Sequence, residues 1–295
     1  MKKLKSNILL FATAIIWGFA FVAQRMGAEF VGAFTFNGVR FALGALSLIP
    51  VIMIFEHKDC EIEKHNRKMK LTLISGLIAG LVLFIASALQ QVGVEITQSA
   101  GKAGFITGLY TVLVPVFGIF MKRKTGINIW LGAILAVCGM FLLCVNEKTG
   151  IGFGDVILII GAVFWALHIL VIDHFGDSIY SLRFACVQFV VCAVLGIAFA
   201  FIFEDVKLAA IKSAGIPILY GGLLSVGVAY TCQILGQKDA DPTYASIVFS
   251  TESVFSAIGG AIILHEVMTG RGYVGCVLIF AGIVISQLKG FKLKK

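Results

Sequence analysis

The sequence predicts an all-α integral membrane protein with ten transmembrane helices in two inverted five-helix repeats, and three observations predict it. First, 59% of the 295 residues are hydrophobic and 14% are charged, with a mean hydropathy of +0.99; an ordinary soluble domain carries about 25% charged residues. Second, windows of about 19 residues pick out ten apolar segments, at residues 7–26, 33–55, 71–92, 99–121, 127–145, 155–173, 179–203, 214–236, 242–264 and 271–288. Third, the halves of the chain echo each other. AIIWGFAFV, with Trp17, matches AVFWALHILV, with Trp165, and Arg40-Phe41 matches Arg183-Phe184. SAGKAGFITGLYTVLVPVFG aligns with TYASIVFSTESVFSAIGGA at a steady spacing that pairs Phe105 with Phe249 and Thr107 with Thr251. The expected repeats are residues 1–150 and 151–295, and because five is odd the second must enter the membrane from the opposite side.

Each segment has its own reasons. MKKLKSN precedes about twenty apolar residues, too many for a signal-peptide core and without a convincing cleavage site, so they are expected to stay as the first helix. Arg40 and Arg183 sit in matching places in the second and seventh segments. Pairing with headgroups or helix-end carbonyls is the favoured role for both, and recognition of an anionic group on a solute is the other. Residues 56–70 form the longest polar connection, which leaves no room for a soluble domain. In the fourth segment Gly101, Gly104 and Gly108 permit close helix approach, Thr107, Tyr110 and Thr111 form a polar sector, and Lys102 points away from it toward an interface. Gly132, Ala136 and Gly139 in the fifth segment and Gly275 and Gly282 in the tenth suit packing within the monomer or, alternatively, a homodimer.

Charge sets the orientation. The chain carries +8, but sixteen of its twenty-four Lys and Arg residues flank one side of the predicted bundle and four the other, which places both termini in the cytoplasm. The positive charge is therefore a matter of topology, and a nucleic-acid partner is not expected. Seven cysteines show no CxxC or Cys/His spacing; all but Cys60 fall in apolar segments as small packing residues. His265-Glu266 starts a zincin-like pattern that no second His completes, and there is no P-loop. Gly150, Gly152 and Gly154 follow no strand. No cofactor, metal or direct use of ATP is expected, and no acidic cluster or nucleophile–base pair suggests an enzyme.

The ninth segment carries the sharpest signal. Glu252 lies about 15 Å beyond Pro242 at 1.5 Å per residue, near the middle of a ~30 Å hydrocarbon slab, where a charge is costly and usually faces a bundle interior on a substrate or ion path. Ala245, Phe249, Ser256 and Gly259 share its side, and Ile247, Val254, Ile258 and Ile262 occupy the side expected to face lipid. A carboxyl group there can exchange a proton and couple it to transport, or it can simply hold helices through Ser and Tyr neighbours. Trp17 and Trp165, each about eleven residues into its helix, are candidate cavity walls. His168 is a candidate relay or solute ligand, or a packing residue. Thr107, Tyr110, Tyr230 and Gln233 are candidate hydrogen-bonding groups, with Gln90 and Gln91 as further ones.

The early tryptophan of AIIWGFAFV, the Arg-Phe of the second helix, SAGKAGFITGLYTVLVPVFG, and Thr251-Glu252-Ser253 followed by His265-Glu266 together resemble the drug/metabolite transporter superfamily, in its ten-helix EamA-type branch. The resemblance covers nearly the whole chain. Family members typically follow the ninth-helix glutamate with proline, and Ser253 stands there; Gly108 and Lys122 stand in the first repeat where Glu252 and Glu266 stand in the second. What the resemblance implies is a central cavity lined by the first, third, fourth, sixth, eighth and ninth helices. It also implies secondary transport of a small metabolite, an amino acid or related compound, outward across the cell membrane, with protons as a candidate coupling ion. A passive facilitator and a lipid-translocating protein are the alternatives.

Overall fold

The structure, a computed structural model, describes residues 2–55, 62–98, 100–122, 126–144, 152–176, 178–264 and 270–288. His265-Glu266, Gly150, Cys60 and the side chain of Lys102 lie outside the described residues. In chain order the helices are α1 (Lys2–Gly27), α2 (Ala33–Phe55), α3 (Ile62–Thr97), α4 (Ala100–Thr107), α5 (Tyr110–Phe120), α6 (Ile127–Cys144), α7 (Phe153–Phe175), α8 (Ser181–Phe203), α9 (Leu208–Ser213) and α10 (Gly215–Leu219). A π-helical stretch (Tyr220–Tyr230) follows, then α11 (Thr231–Gln237), α12 (Pro242–Phe249), α13 (Glu252–Ile263) and α14 (Gly270–Gln287). Among the described residues eight stretches are long and apolar enough to cross a bilayer, and α6 and α14 supply two shorter apolar helices, Ile127–Leu142 and Gly270–Ser286. The fourth, eighth and ninth crossings are each built from more than one of these pieces.

Local chemistry starts several of them. Asp241 accepts the backbone N–H of Thr243 at 2.8 Å and of Tyr244 at 3.2 Å, with Pro242 in the first turn, which satisfies orphan donors at the start of α12. Asp155 reaches back to the N–H of Gly152 at 2.7 Å to begin α7. The start of α2 is capped from a distance: Glu204, just past α8, accepts from Phe34 N, Thr35 N and Thr35 Oγ1 at 2.7, 2.8 and 2.6 Å.

Corresponding helices of the two repeats pack on one another, and they run antiparallel. A Cβ placed on Gly132 of α6 would fall on Gly282 O of α14, and one on Gly139 would fall on Gly275 O, so one number rises as the other falls. In the same way Gly38 of α2 meets Gly196 of α8, while Ala45 O accepts from Cys186 Sγ. In the fourth and ninth crossings α4 packs on α13 and α5 on α12. The α1–eighth crossing pair is mirrored by the α7–α3 pair: Ser6, Thr13 and Trp17 bond to Gly236, Ala229 and Ser225, and Gly154, Gly161 sit against Thr97 and Leu89. Antiparallel equivalents mean inverted repeats. The small residues of α6 and α14 are used within the chain.

Three details differ from the sequence reading. The third helix reaches back to Ile62, through much of the stretch expected as a polar connection. The fourth and ninth crossings break, at Gly108–Leu109 and at Ser250–Thr251. No proline is needed for the second break. Ser250 Oγ donates to Ile247 O at 2.6 Å and Thr251 Oγ1 to Val248 O at 2.7 Å, and the backbone tightens to three-residue bonds through Thr251, Ser253 and Val254; hydroxyls that bond back to the preceding turn bend membrane helices. The face of the ninth crossing expected to meet lipid is also partly covered: Ile247 of α12 packs with Ala133 and Ala136, and Val254 of α13 with Met140 and Ile279, because α6 and α14 lie over it. Ile262 remains exposed.

Candidate functional site

The two broken helices cross at their breaks. Tyr110 is the first residue of α5 and Glu252 the first of α13, and Tyr110 Oη donates to Glu252 Oε1 at 2.9 Å. From the next residue, Thr111 Oγ1 donates to Ser246 O at 3.1 Å. Interrupted helices that place a polar side chain at mid-bundle are a recurrent way to build a transporter site, since a break frees backbone that only an interior cavity can tolerate.

Glu252 and Tyr110 open onto a cavity whose walls also include Trp17, Gln24, Arg40, Gln90, Thr107, Trp165, Ser225 and Tyr230. Six of the eight residues singled out from sequence are thus brought together: Trp17, Thr107, Tyr110, Trp165, Tyr230 and Glu252. The walls come from the six expected crossings, with the second added through Arg40. The free space for water centres is about 30 Å³, enough for about two waters and too little for a metabolite. A layer of rings packs along its wall. Trp17 lies 4.8 Å from Tyr230, 5.4 Å from Phe249 and 6.1 Å from Trp165, and Trp165 stacks on Tyr230 at 6.2 Å.

The eighth crossing explains why Trp17 is held there. A π-helix leaves carbonyls poorly matched along its length and marks functional positions more often than chance. Here Ser225 O accepts from Trp17 Nε1 at 3.4 Å and Ala229 O from Thr13 Oγ1 at 3.1 Å, and Tyr220 Oη donates to Ile16 O at 2.9 Å. Trp165 Nε1 and Thr107 Oγ1 are buried at the cavity with no hydrogen-bond partner among the described residues.

His168 and Gln233 do not line the cavity. His168 lies behind the rings: it meets Trp165 and Tyr230 edge-on at 6.0 and 6.2 Å, and its Nε2 is 3.0 Å from Gln188 Oε1. His168 Nδ1, Gln188 Nε2, both amide atoms of Gln233 and Gln237 Oε1 make no hydrogen bond among the described residues.

Arg40 and Arg183, alike in sequence, part company. Arg183 is half-buried, with Met69 Sδ 3.7 Å from its Nη1 and the Tyr180 ring beneath it. Arg40 is 2% exposed; its Nε donates to Asn37 Oδ1 at 2.9 Å, and its guanidinium lies 5.4 and 5.2 Å from the Phe36 and Phe41 ring centres. Gln24 and Ser225 are wall residues that the sequence reading did not single out. Gln24, a lone amide near the end of an apolar run, offered a signal, whereas Ser225 lies in the π-helical stretch, which periodicity does not reveal.

Comparison with known proteins agrees with this architecture. Residues 4–145 and 152–288 each match the EamA-like transporter family. An "uncharacterized transporter" of Archaeoglobus fulgidus is 26% identical over 98% of this chain and 88% of its own length, and the "uncharacterized transporter YoaV" of Bacillus subtilis is 23% identical over 94% of each. The "uncharacterized inner membrane transporter YedA" of Escherichia coli is 25% identical over 53% of this chain and 49% of its own. A solved crystal structure superposes with a TM-score of 0.81 over 98% of this chain and 99% of its own at 17% identity, a likeness of fold. With two family repeats that span nearly its whole length and close around one buried acid, this multi-pass membrane protein belongs to the EamA-like transporter family.

Proposed function

We propose that the protein is a secondary transporter that carries a small metabolite, an amino acid or related compound, outward by alternating access, with proton movement through Glu252 as the coupled step. The observation that carries this reading is the 2.9 Å bond from Tyr110 to Glu252 at the crossing of two broken helices. A carboxyl group 3% exposed in the middle of a membrane bundle is expensive to charge, and its protonation state changes what it can do with its neighbour. Ionised, Glu252 only accepts, and the Tyr110 hydroxyl fastens α5 to α13. Protonated, it can donate elsewhere, and the fastening weakens. Inverted repeats give two packings of nearly equal energy, so a change of one to two hydrogen bonds is enough to bias which side is open. Both termini face the cytoplasm in this reading, as the Lys and Arg distribution favours.

The test is flux of labelled amino acids, nucleosides and amines into proteoliposomes, with and without an imposed pH gradient, for the native chain and Glu252→Gln. Accumulation driven by the gradient in the native chain, with exchange but no gradient response in Glu252→Gln, is the expected result. Native flux indifferent to the gradient would instead identify a passive facilitator.

A further inference from the structure

Building on the transporter reading, we propose that Arg40 is the anchor for a carboxylate on the transported solute, so that the cavity selects zwitterionic compounds carrying both a carboxylate and an ammonium group. Arg40 is the eighth residue of α2, about 10 Å from the helix start at 1.5 Å per residue, well inside the hydrocarbon. Buried cations are normally matched by an anion, because leaving one unmatched is strongly unfavourable. Among the described residues no carboxylate lies within 4 Å of this one. Its Nε is used on Asn37, which is itself fixed by a 2.9 Å bond from Nδ2 to Ser87 O, and the Phe36 and Phe41 rings flank its plane. The Nη1 and Nη2 donors make no hydrogen bond among the described residues, and the side chain lines the central cavity.

A guanidinium held in this way presents the fork that suits a carboxylate bound through two parallel N–H···O bonds. Glu252 lines the same cavity without forming an ion pair with Arg40, so the two opposite charges are separated by space and not by mutual contact. An ammonium group on the same solute would find the ionised Glu252 carboxylate and the faces of Trp17, Trp165 and Tyr230. Arg183, Arg40's counterpart in the other repeat, instead lies beside Met69 and Tyr180, which makes the anchor a feature of one repeat only.

The experiment compares the standard amino acids with their methyl esters, which keep the ammonium and lose the carboxylate. It reads ligand-induced melting shifts of the purified protein and competition for flux in proteoliposomes, for native, Arg40→Lys and Arg40→Gln chains. At least one amino acid is expected to bind the native chain and its ester to bind at least about tenfold more weakly, with a similar loss in Arg40→Gln and a smaller one in Arg40→Lys. Equal binding of acid and ester by the native chain overturns the proposal even if Arg40→Gln fails to fold. Native flux of nucleosides or amines but of no amino acid overturns it while leaving the transporter reading intact, whereas absence of native flux for every solute overturns that reading as well.

Discussion

Replacing Gly18 with alanine tests how closely the site depends on the approach of α1 to α13. A Cβ at position 18 would lie 2.3 Å from Phe255 Cβ, 2.7 Å from Glu252 O and 2.9 Å from Phe255 C. None of these atoms is the end of a flexible side chain, so relief requires α1 and α13 to separate. Carbon atoms rest about 3.5–4.0 Å apart, so the gap must grow by about 1.2 Å. The Tyr110–Glu252 bond is 2.9 Å and stops being a hydrogen bond near 3.5 Å, a margin of about 0.6 Å. The shift needed is twice that margin. Overpacking of this kind costs about 1–3 kcal/mol, so Gly18→Ala is expected to melt earlier in detergent and to lose most gradient-driven flux in proteoliposomes. Gly215→Ala, where a Cβ meets nothing within 4 Å, is the control and should behave as the native chain. Native melting and native flux in Gly18→Ala would refute the reasoning.

Two further perturbations separate stability from transport. Glu204→Ala removes three hydrogen bonds from the start of α2, together with a favourable charge at a helix N-terminus, and should lower stability by about 2 kcal/mol, read as an earlier melt whose size diminishes in high salt. Gln233→Met keeps the volume while deleting two buried amide atoms without partners among the described residues; it should raise stability by about 1–3 kcal/mol, read as a later melt.

The crossings were legible in the sequence because bilayer thickness imposes a minimum apolar length, and the inverted arrangement because Trp17 and Trp165 recur five helices apart. Helical spacing and depth put Glu252, Tyr110, Thr107 and the two tryptophans near mid-membrane, and the family resemblance implied the one cavity they share. The break before Glu252 was not legible: it rests on hydroxyls of Ser250 and Thr251 turning back onto Ile247 and Val248, and the same residue types also occur in unbroken helices. Nor was the cover over Ile247 and Val254, since periodicity distinguishes faces of a helix but not lipid from a neighbouring apolar helix. Arg40 and Arg183 occupy the same motif, and only tertiary packing makes one a cavity residue. His168 has the right depth for the cavity, yet it lies behind Tyr230, which lines it.

The most direct measurement is proton movement recorded alongside solute flux in the same proteoliposomes, with a pH-sensitive dye trapped inside. For the native chain the account predicts a proton flux that appears only when a transported solute is present and stays in fixed ratio to it, and for Glu252→Gln solute exchange with no accompanying proton flux. Proton movement at the native ratio in Glu252→Gln would contradict it.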